Sequence, residues 1–226
     1  MNYSKKGIEN KIYYIKSTSR RMASKIRITL FHIFVVSLVG FAIIGSFTVY
    51  GLVSGLIDSA PDISQIDVIP QGYTTKVRDK DGNIIEYLIG ANANREYVYL
   101  KDLPDYVKYC FISIEDERFY EHSGIDIRGI FRAGFIGLTS GNFSQGASTI
   151  TQQLLKAQVF NGGMETKLVD KLERKIQEQY LAIQLESKLD KDTIMEYYLN
   201  TINLGSGTLG IQTAAKKYFN KNAKDL

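Results

Sequence analysis

The longest feature in the hydrophobic pattern is residues 28–57, thirty positions without Asp, Glu, Lys or Arg. Crossing a hydrocarbon core takes roughly 20 apolar residues, so this stretch predicts a transmembrane helix; a cleavable signal peptide would have a shorter apolar run and a shorter basic lead. Residues 58–72 turn polar around Pro61 and Pro70 and read as a linker. Runs at 74–79 and 83–88 flank Asp81-Gly82, a dipeptide that tolerates the positive φ of a tight turn, and predict a small β-hairpin. Tyr97-Val98-Tyr99-Leu100 adds a candidate strand.

From Pro104 onward the pattern is helical. A first helix is expected to run through the apolar positions 107–114 into Ser113–Gly124, placing Glu115, Arg118 and His122 on one face with Gly124 as a left-handed cap. Residues 125–138 carry Ile127, Ile130, Phe131, Phe135, Ile136 and Leu138 with few charges. They fit either a buried core helix or a basic, apolar surface that dips into the outer leaflet. After Gln145-Gly146-Ala147, Ser148 or Thr149 is placed as an N-cap, with Gln152 closing a capping box on Thr149. Over 166–187, Leu168, Val169, Leu172, Ile176, Tyr180 and Ile183 form the expected packing stripe, opposite Lys171, Arg174, Lys175 and Glu178. Residues 193–200 pack through Ile194, Met195, Tyr198 and Leu199, an irregular loop follows, and the last helix covers Ile211–Phe219.

Charge changes the picture in one respect. The net +4 is concentrated in residues 1–27, where eight Lys and Arg face Glu9 alone; that tail is +7 and the remainder −3. The basicity therefore belongs to a flank of the apolar helix and gives no support to a nucleic-acid partner. Basic before the span and acidic after it (Asp58, Asp62), the chain is expected to keep its N-terminus in the cytoplasm and residues 58–226 outside. The one cysteine, Cys110, sits among apolar residues and is expected in the core; a single thiol makes no internal disulfide. No repeat, low-complexity tract, Cys/His metal spacing or nucleotide-type phosphate loop is present.

Three stretches carry candidate chemistry: the carboxylates around Glu115, the hydroxyl and amide helix start at Ser148–Gln153 with Lys156 behind it, and the cations at Arg174 and Lys175 beside Glu178. A helix N-terminus with free N–H groups suits phosphate or sugar oxygens. Each stretch alone also fits a plainer reading: a solvated helix end, an ordinary cap, a charged outer face. In order they match Glu115-Asp116-x-x-Phe119-x-x-His122-x-Gly124, Gly146-x-Ser148-Thr149-Ile150-Thr151-Gln152-Gln153, Arg174-Lys175-x-x-Glu178 and Tyr198-Leu199-Asn200, with Ala214-Ala215-x-x-Tyr218-Phe219 beyond. In these motifs the chain resembles the peptidoglycan glycosyltransferases of family 51, the domain carried by class A penicillin-binding proteins and monofunctional transglycosylases. It departs from them at Ala147, where many members have Gly, and after Asn200, where Thr-Ile-Asn-Leu-Gly replaces an aromatic-containing loop.

The resemblance implies a mainly α, lysozyme-like domain at 101–226, preceded by a basic tail (1–27), the membrane helix (28–57) and a linker with hairpin stalk (58–100). Ending at Leu226, the domain is expected to be cut short of the family's last helices and of any transpeptidase. The implied activity is polymerisation of lipid II into glycan strands, with inversion and undecaprenyl pyrophosphate as leaving group. Glu115 would act as base and Glu178 as second catalytic carboxylate. Substrate contacts would come from Asp116, Phe119, His122, Ser148, Thr149, Thr151, Gln152, Gln153, Lys156, Arg174, Lys175 and Asn200. No cofactor is required by the residues, though a divalent cation (Mg or Mn) is used by some members. Expected partners are lipid II, the growing lipid-linked glycan, the membrane and proteins of cell-wall synthesis or division. A silent membrane-anchored scaffold and a lysozyme-like glycan hydrolase are the alternative readings.

Overall fold

The computed structural model describes residues 4–16, 18–88, 90, 94–141 and 146–226. The chain is mainly helical and divides into two compact units, Met1–Gly55 and Leu56–Leu226. The first holds α1 (Lys5–Lys16) and most of α2 (Thr18–Asp58). At about 1.5 Å per residue α2 is roughly 60 Å long, and its segment Met22–Asp58 is long and apolar enough to cross a membrane. Two hydroxyls inside it are satisfied along the helix, Ser46 Oγ donating to Ala42 O at 2.8 Å and Thr48 Oγ1 to Ile44 O at 2.9 Å. The helix extends back through the basic flank, whose Lys, Arg, Met and Ala are good helix formers.

In the second unit, β1 (Thr75–Arg78) and β2 (Ile84–Leu88) pair antiparallel as expected. Asp79 accepts from Asp81 N and Asn83 N at 2.9 and 2.8 Å, and Gly82 takes φ +85°, so the turn is built by a carboxylate and a glycine. The 97–100 segment is not a third strand. Its backbone pairs with side chains instead: Asn200 accepts from Val98 N at 2.9 Å and donates to Val98 O at 2.8 Å, and Glu196 accepts from Leu100 N at 2.7 Å. The expected linker is also docked, with Val68 buried and Ile63 and Ile66 packed on the core.

Six helices follow: α3 (Asp105–Glu115), α4 (Ile127–Ser140), α5 (Ile150–Gln158), α6 (Leu168–Glu186), α7 (Lys191–Thr201) and α8 (Ile211–Phe219). Helix α5 is central and packs on α6 and α7. Ile150, Leu154 and Leu155 meet Leu181, Ala182, Ile194, Met195 and Leu199 in a core from which water is excluded. Each fully buried Leu or Ile contributes about 1.5–3 kcal/mol.

The helices bring further corrections. Helix α3 stops at Glu115 because Asp116 leaves helical geometry (φ −159°, ψ 71°), so Arg118 and His122 lie on turns and not on a shared helical face. Cys110 is exposed, since α3 turns Val107, Phe111 and Ile112 inward. Of the two readings left open for α4, the buried core helix is excluded: Ile127, Phe131, Phe135 and Leu138 are all exposed. Helix α6 departs from expectation, burying Gln177, Glu178, Leu181, Ala182 and Leu185 and exposing Leu168, Val169, Leu172 and Ile183, although Tyr180 of the expected stripe does pack on the core. Its polar face can pack inward because the side chains there find partners, as described below.

Gly124 is not a helix cap. It has φ +88°, and a Cβ there would sit 2.5 Å from the Ala182 carbonyl carbon, so only glycine lets this loop touch α6. Gly124→Ala is expected to cost about 2 kcal/mol or more, read as a lower thermal midpoint in detergent. Gly134→Ala, in α4 with open space around it, should instead leave the midpoint unchanged or raise it by up to about 1 kcal/mol in stability.

Candidate active site

The site starts from one buried carboxylate. Asp116 Oδ2 accepts from Ile150 N, in the first turn of α5, at 3.0 Å, and both Asp116 oxygens lie 3.0 Å from His122 Nε2. A second tie runs alongside. Thr149 caps α5 by accepting from Gln152 N at 3.2 Å, and its hydroxyl donates to Gly124 O at 2.8 Å. Gln152 does not close a capping box; its Nε2 donates to the same Gly124 carbonyl at 3.3 Å. The 116–124 loop and the start of α5 are thereby locked together against α6.

Locking α5 decides where its amides point. Gln153 Nε2 donates to Glu115 Oε2 at 2.8 Å, and Gln153 Oε1 accepts from Tyr198 OH at 3.4 Å. Burial, reinforced by the Glu115 charge, pushes the Tyr198 phenol well above its ordinary pKa, so it serves as a neutral donor. Glu115 itself is exposed at the end of α3. On the other side, Lys175 Nζ donates to Ser148 Oγ at 2.6 Å, Gln152 Oε1 at 3.3 Å and Glu178 Oε2 at 3.0 Å. Arg174 pairs with Glu178 Oε1 and with Glu165 Oε2, the latter at 2.8 Å. Burial lowers the Arg174 pKa, but its two carboxylate partners outweigh that and hold it above its ordinary value. Glu178, fully buried, is thus the common counter-ion of two cations.

These groups surround a cleft of about 490 Å³ lined by Glu115, Ser148, Gln152, Gln153, Lys156 and Glu178, with Tyr198 and Thr201 from α7. A smaller recess of about 130 Å³ shares Ile114, Glu115, Gly146 and Ser148 with it and continues to Asp126 and Arg132. Glu115 stands where the two meet. Gly163, at φ +75°, brings the preceding turn close over Lys156 and Arg174: a Cβ there would lie 2.5 Å from Lys156 Cε and 3.1 Å from Arg174 Cζ.

Residues 81–226 match the family described as Transglycosylase. The chain belongs to the transglycosylase family. It is 38% identical over 218 residues to penicillin-binding protein 1A of Clostridium botulinum (strain Langeland), covering 93% of this chain and 24% of that protein. To penicillin-binding protein 1A of Escherichia coli K12 it is 40% identical over 184 residues, covering 81% of this chain and 21% of that protein. The chain spans about a quarter or less of the length of these curated relatives.

The motif residues do not all reach the same space. Glu115, Ser148, Gln152, Gln153, Lys156 and Glu178 line the larger cleft, and Lys175 reaches it through Ser148 and Gln152. Arg174 stands behind Glu178. Asp116 and Thr149 form part of the smaller recess while acting mainly as ties. Phe119, His122, Thr151 and Asn200 line neither space: Phe119 is in the core, His122 holds Asp116, Thr151 donates to Glu186, and Asn200 holds Val98. Gln145, just before the second motif, lies outside the described residues. Tyr198, Glu165, Arg132 and Gly163 were not among the expected site residues. Tyr198 was visible in a motif, but the other three belong to turns and faces that periodicity does not place.

A divalent cation finds no evident seat. Among the described residues no group of three or more His, Cys, Asp and Glu could hold a metal, and Glu178 is engaged by Arg174 and Lys175.

Removing the buried counter-ion tests the electrostatic half of the site. Glu178→Gln leaves Arg174 and Lys175 without their shared charge and is expected to cost about 3 kcal/mol, the size typical of breaking a buried pair. Denaturant or thermal unfolding in detergent checks it. Glu115→Gln, at an exposed position, should stay within about 0.5 kcal/mol of the parent chain.

Proposed function

We propose that the chain is a peptidoglycan glycosyltransferase, anchored by α2 with its N-terminus in the cytoplasm, that joins lipid II units into glycan strands outside the membrane. The observation that carries this reading is Glu115 at the junction of two recesses, one of them flanked by lysine and arginine. Glycan polymerisation needs that layout: two bound sugars with one base between them.

In this reading Glu115 takes the proton from the acceptor hydroxyl. The freed oxygen attacks the donor's anomeric carbon from the face opposite the leaving group, the new glycosidic bond forms with inversion, and the bond to undecaprenyl pyrophosphate breaks. Gln153 holds the base in place, and Tyr198 fixes the orientation of Gln153. Charge builds on the departing pyrophosphate. Lys156, which makes no ion pair among the described residues, and the Lys175–Ser148 pair are placed to meet it by charge-assisted hydrogen bonds. Arg174 and Glu178 hold Lys175 at its station, so little reorganisation is needed when charge develops.

A hydrolase reading is less well supported. Hydrolysis would want a second carboxylate at liberty to act as acid or to activate water, whereas Glu178 is tied to two cations. Membrane attachment also has a mechanistic reason, because a polyprenyl-linked substrate stays in the bilayer. The exposed Ile127, Phe131, Phe135 and Leu138 of α4 support contact with the outer leaflet.

The deciding experiment incubates the full chain in vesicles with fluorescent lipid II. Polymer is expected from the parent chain, and Glu115→Gln should slow its formation about 10²–10⁴-fold with stability unchanged. Polymer formed by Glu115→Gln at the parent rate would overturn the assignment of the base. Cleavage of preformed strands in place of polymerisation would overturn the function.

A further inference from the structure

The packing of α6 leaves an apolar stripe facing outward. On a 3.6-residue repeat Leu168, Leu172, Ile176 and Ile183 share one side with Val169 at its edge, opposite the face that buries Gln177, Glu178, Leu181 and Leu185. Leu168, Val169 and Leu172 are 71%, 70% and 56% exposed, and Met164 just before them is 84% exposed. Isolated exposed apolar residues are ordinary, but a run of this kind marks an interaction surface.

Three observations identify what covers it. First, the stripe is continuous with the exposed face of α4. Ile183 at its far end shares a groove of about 520 Å³ with Ile125, Ile127 and Arg128. Second, the helix carrying the stripe binds the end of the apolar span. Gln177 Nε2 donates to Leu56 O and to Ser59 Oγ, both at 3.0 Å, and Ser59 Oγ donates to Glu173 Oε1 at 3.4 Å. Leu56 and Ser59 therefore lie against the turn of α6 that holds Glu173 and Gln177. Third, Lys167 and Lys171 flank the stripe, exposed and without an ion pair among the described residues, in the pattern that suits anionic headgroups above an inserted apolar face.

We infer that the outward stripe of α6, with Met164, is a second lipid-contacting surface that lies in the outer leaflet beside α4. This rests on the membrane-anchored reading and adds a consequence to it. Helix α6 carries Arg174, Lys175 and Glu178 on its inner side, so the cation face of the cleft is held at a set depth relative to the lipid surface. A polyprenyl pyrophosphate entering from the leaflet meets those cations without leaving the headgroup region.

The test uses the full chain in vesicles of phosphatidylglycerol and phosphatidylethanolamine, in a Cys110→Ser background because Cys110 is exposed. Single variants Leu172→Cys, Phe131→Cys and Lys221→Cys are labelled with an environment-sensitive fluorophore. The label at 172 is expected to shift to the blue, to be quenched by nitroxide-bearing lipids as strongly as that at 131, and to lose quenching by aqueous iodide. The label at 221 should show the opposite. A label at 172 reached by iodide and untouched by lipid nitroxides, with 131 quenched by lipid, overturns the α6 inference and leaves α4 at the membrane. A label at 172 shielded from iodide yet not quenched by lipid means a protein covers the stripe, which also overturns it. Labels at 131 and 172 both in water overturn this inference and the membrane seat of the domain together.

Discussion

The Asp116 carboxylate is the constraint on which the site depends. It sits almost wholly buried and accepts from the Ile150 backbone and the His122 ring at once. Leaving a buried backbone N–H at a helix start without a partner costs about 1–3 kcal/mol, and here the remedy comes from the residue next to the proposed base. Position is inherited along a short path. Asp116 sets the start of α5, α5 sets Gln152 and Gln153, and these reach Lys175 on one side and Glu115 on the other. Gly124 closes the arrangement by allowing the loop to lie on the α6 backbone.

A second constraint is electrostatic. Putting Glu178 in the interior is tolerable only because Arg174 and Lys175 reach it from the same helix, at i−4 and i−3. The packing of α6 follows from that network. With Glu178 and Gln177 engaged inward beside Leu181, Ala182 and Leu185, the apolar residues Leu168, Val169 and Leu172 are left to the outside. Site chemistry and the character of the outer surface thus have one cause.

This also explains what could and could not be read from the sequence. The hairpin turn at Asp81-Gly82, the packing residues of α7 and the extent of α8 follow from local rules and appear as expected. A helix long and apolar enough to cross a membrane was legible from length and absence of charge alone. Helix α6 was legible as amphipathic, but a hydrophobic pattern gives two faces without saying which one packs, and the face carrying Glu178 with Leu181, Ala182 and Leu185 is the one that turns inward. Val98 looked like a strand residue, and its pairing partner is the Asn200 side chain, 102 positions away. Within the motifs, Glu115 and Phe119 stand four apart and carry different duties, one facing a cleft and one filling the core. Spacing marks such residues as a set, and only burial and partners separate those that act from those that hold.

The most direct measurement is amide hydrogen exchange across the start of α5, taken with turnover on the same Asp116→Asn preparation. Faster exchange at Ile150 and its neighbours is expected together with a large loss of turnover, while a Glu115→Gln chain loses turnover with its α5 amides still protected. Exchange at Ile150 unchanged in Asp116→Asn, with turnover retained, would contradict the claim that this carboxylate positions the site.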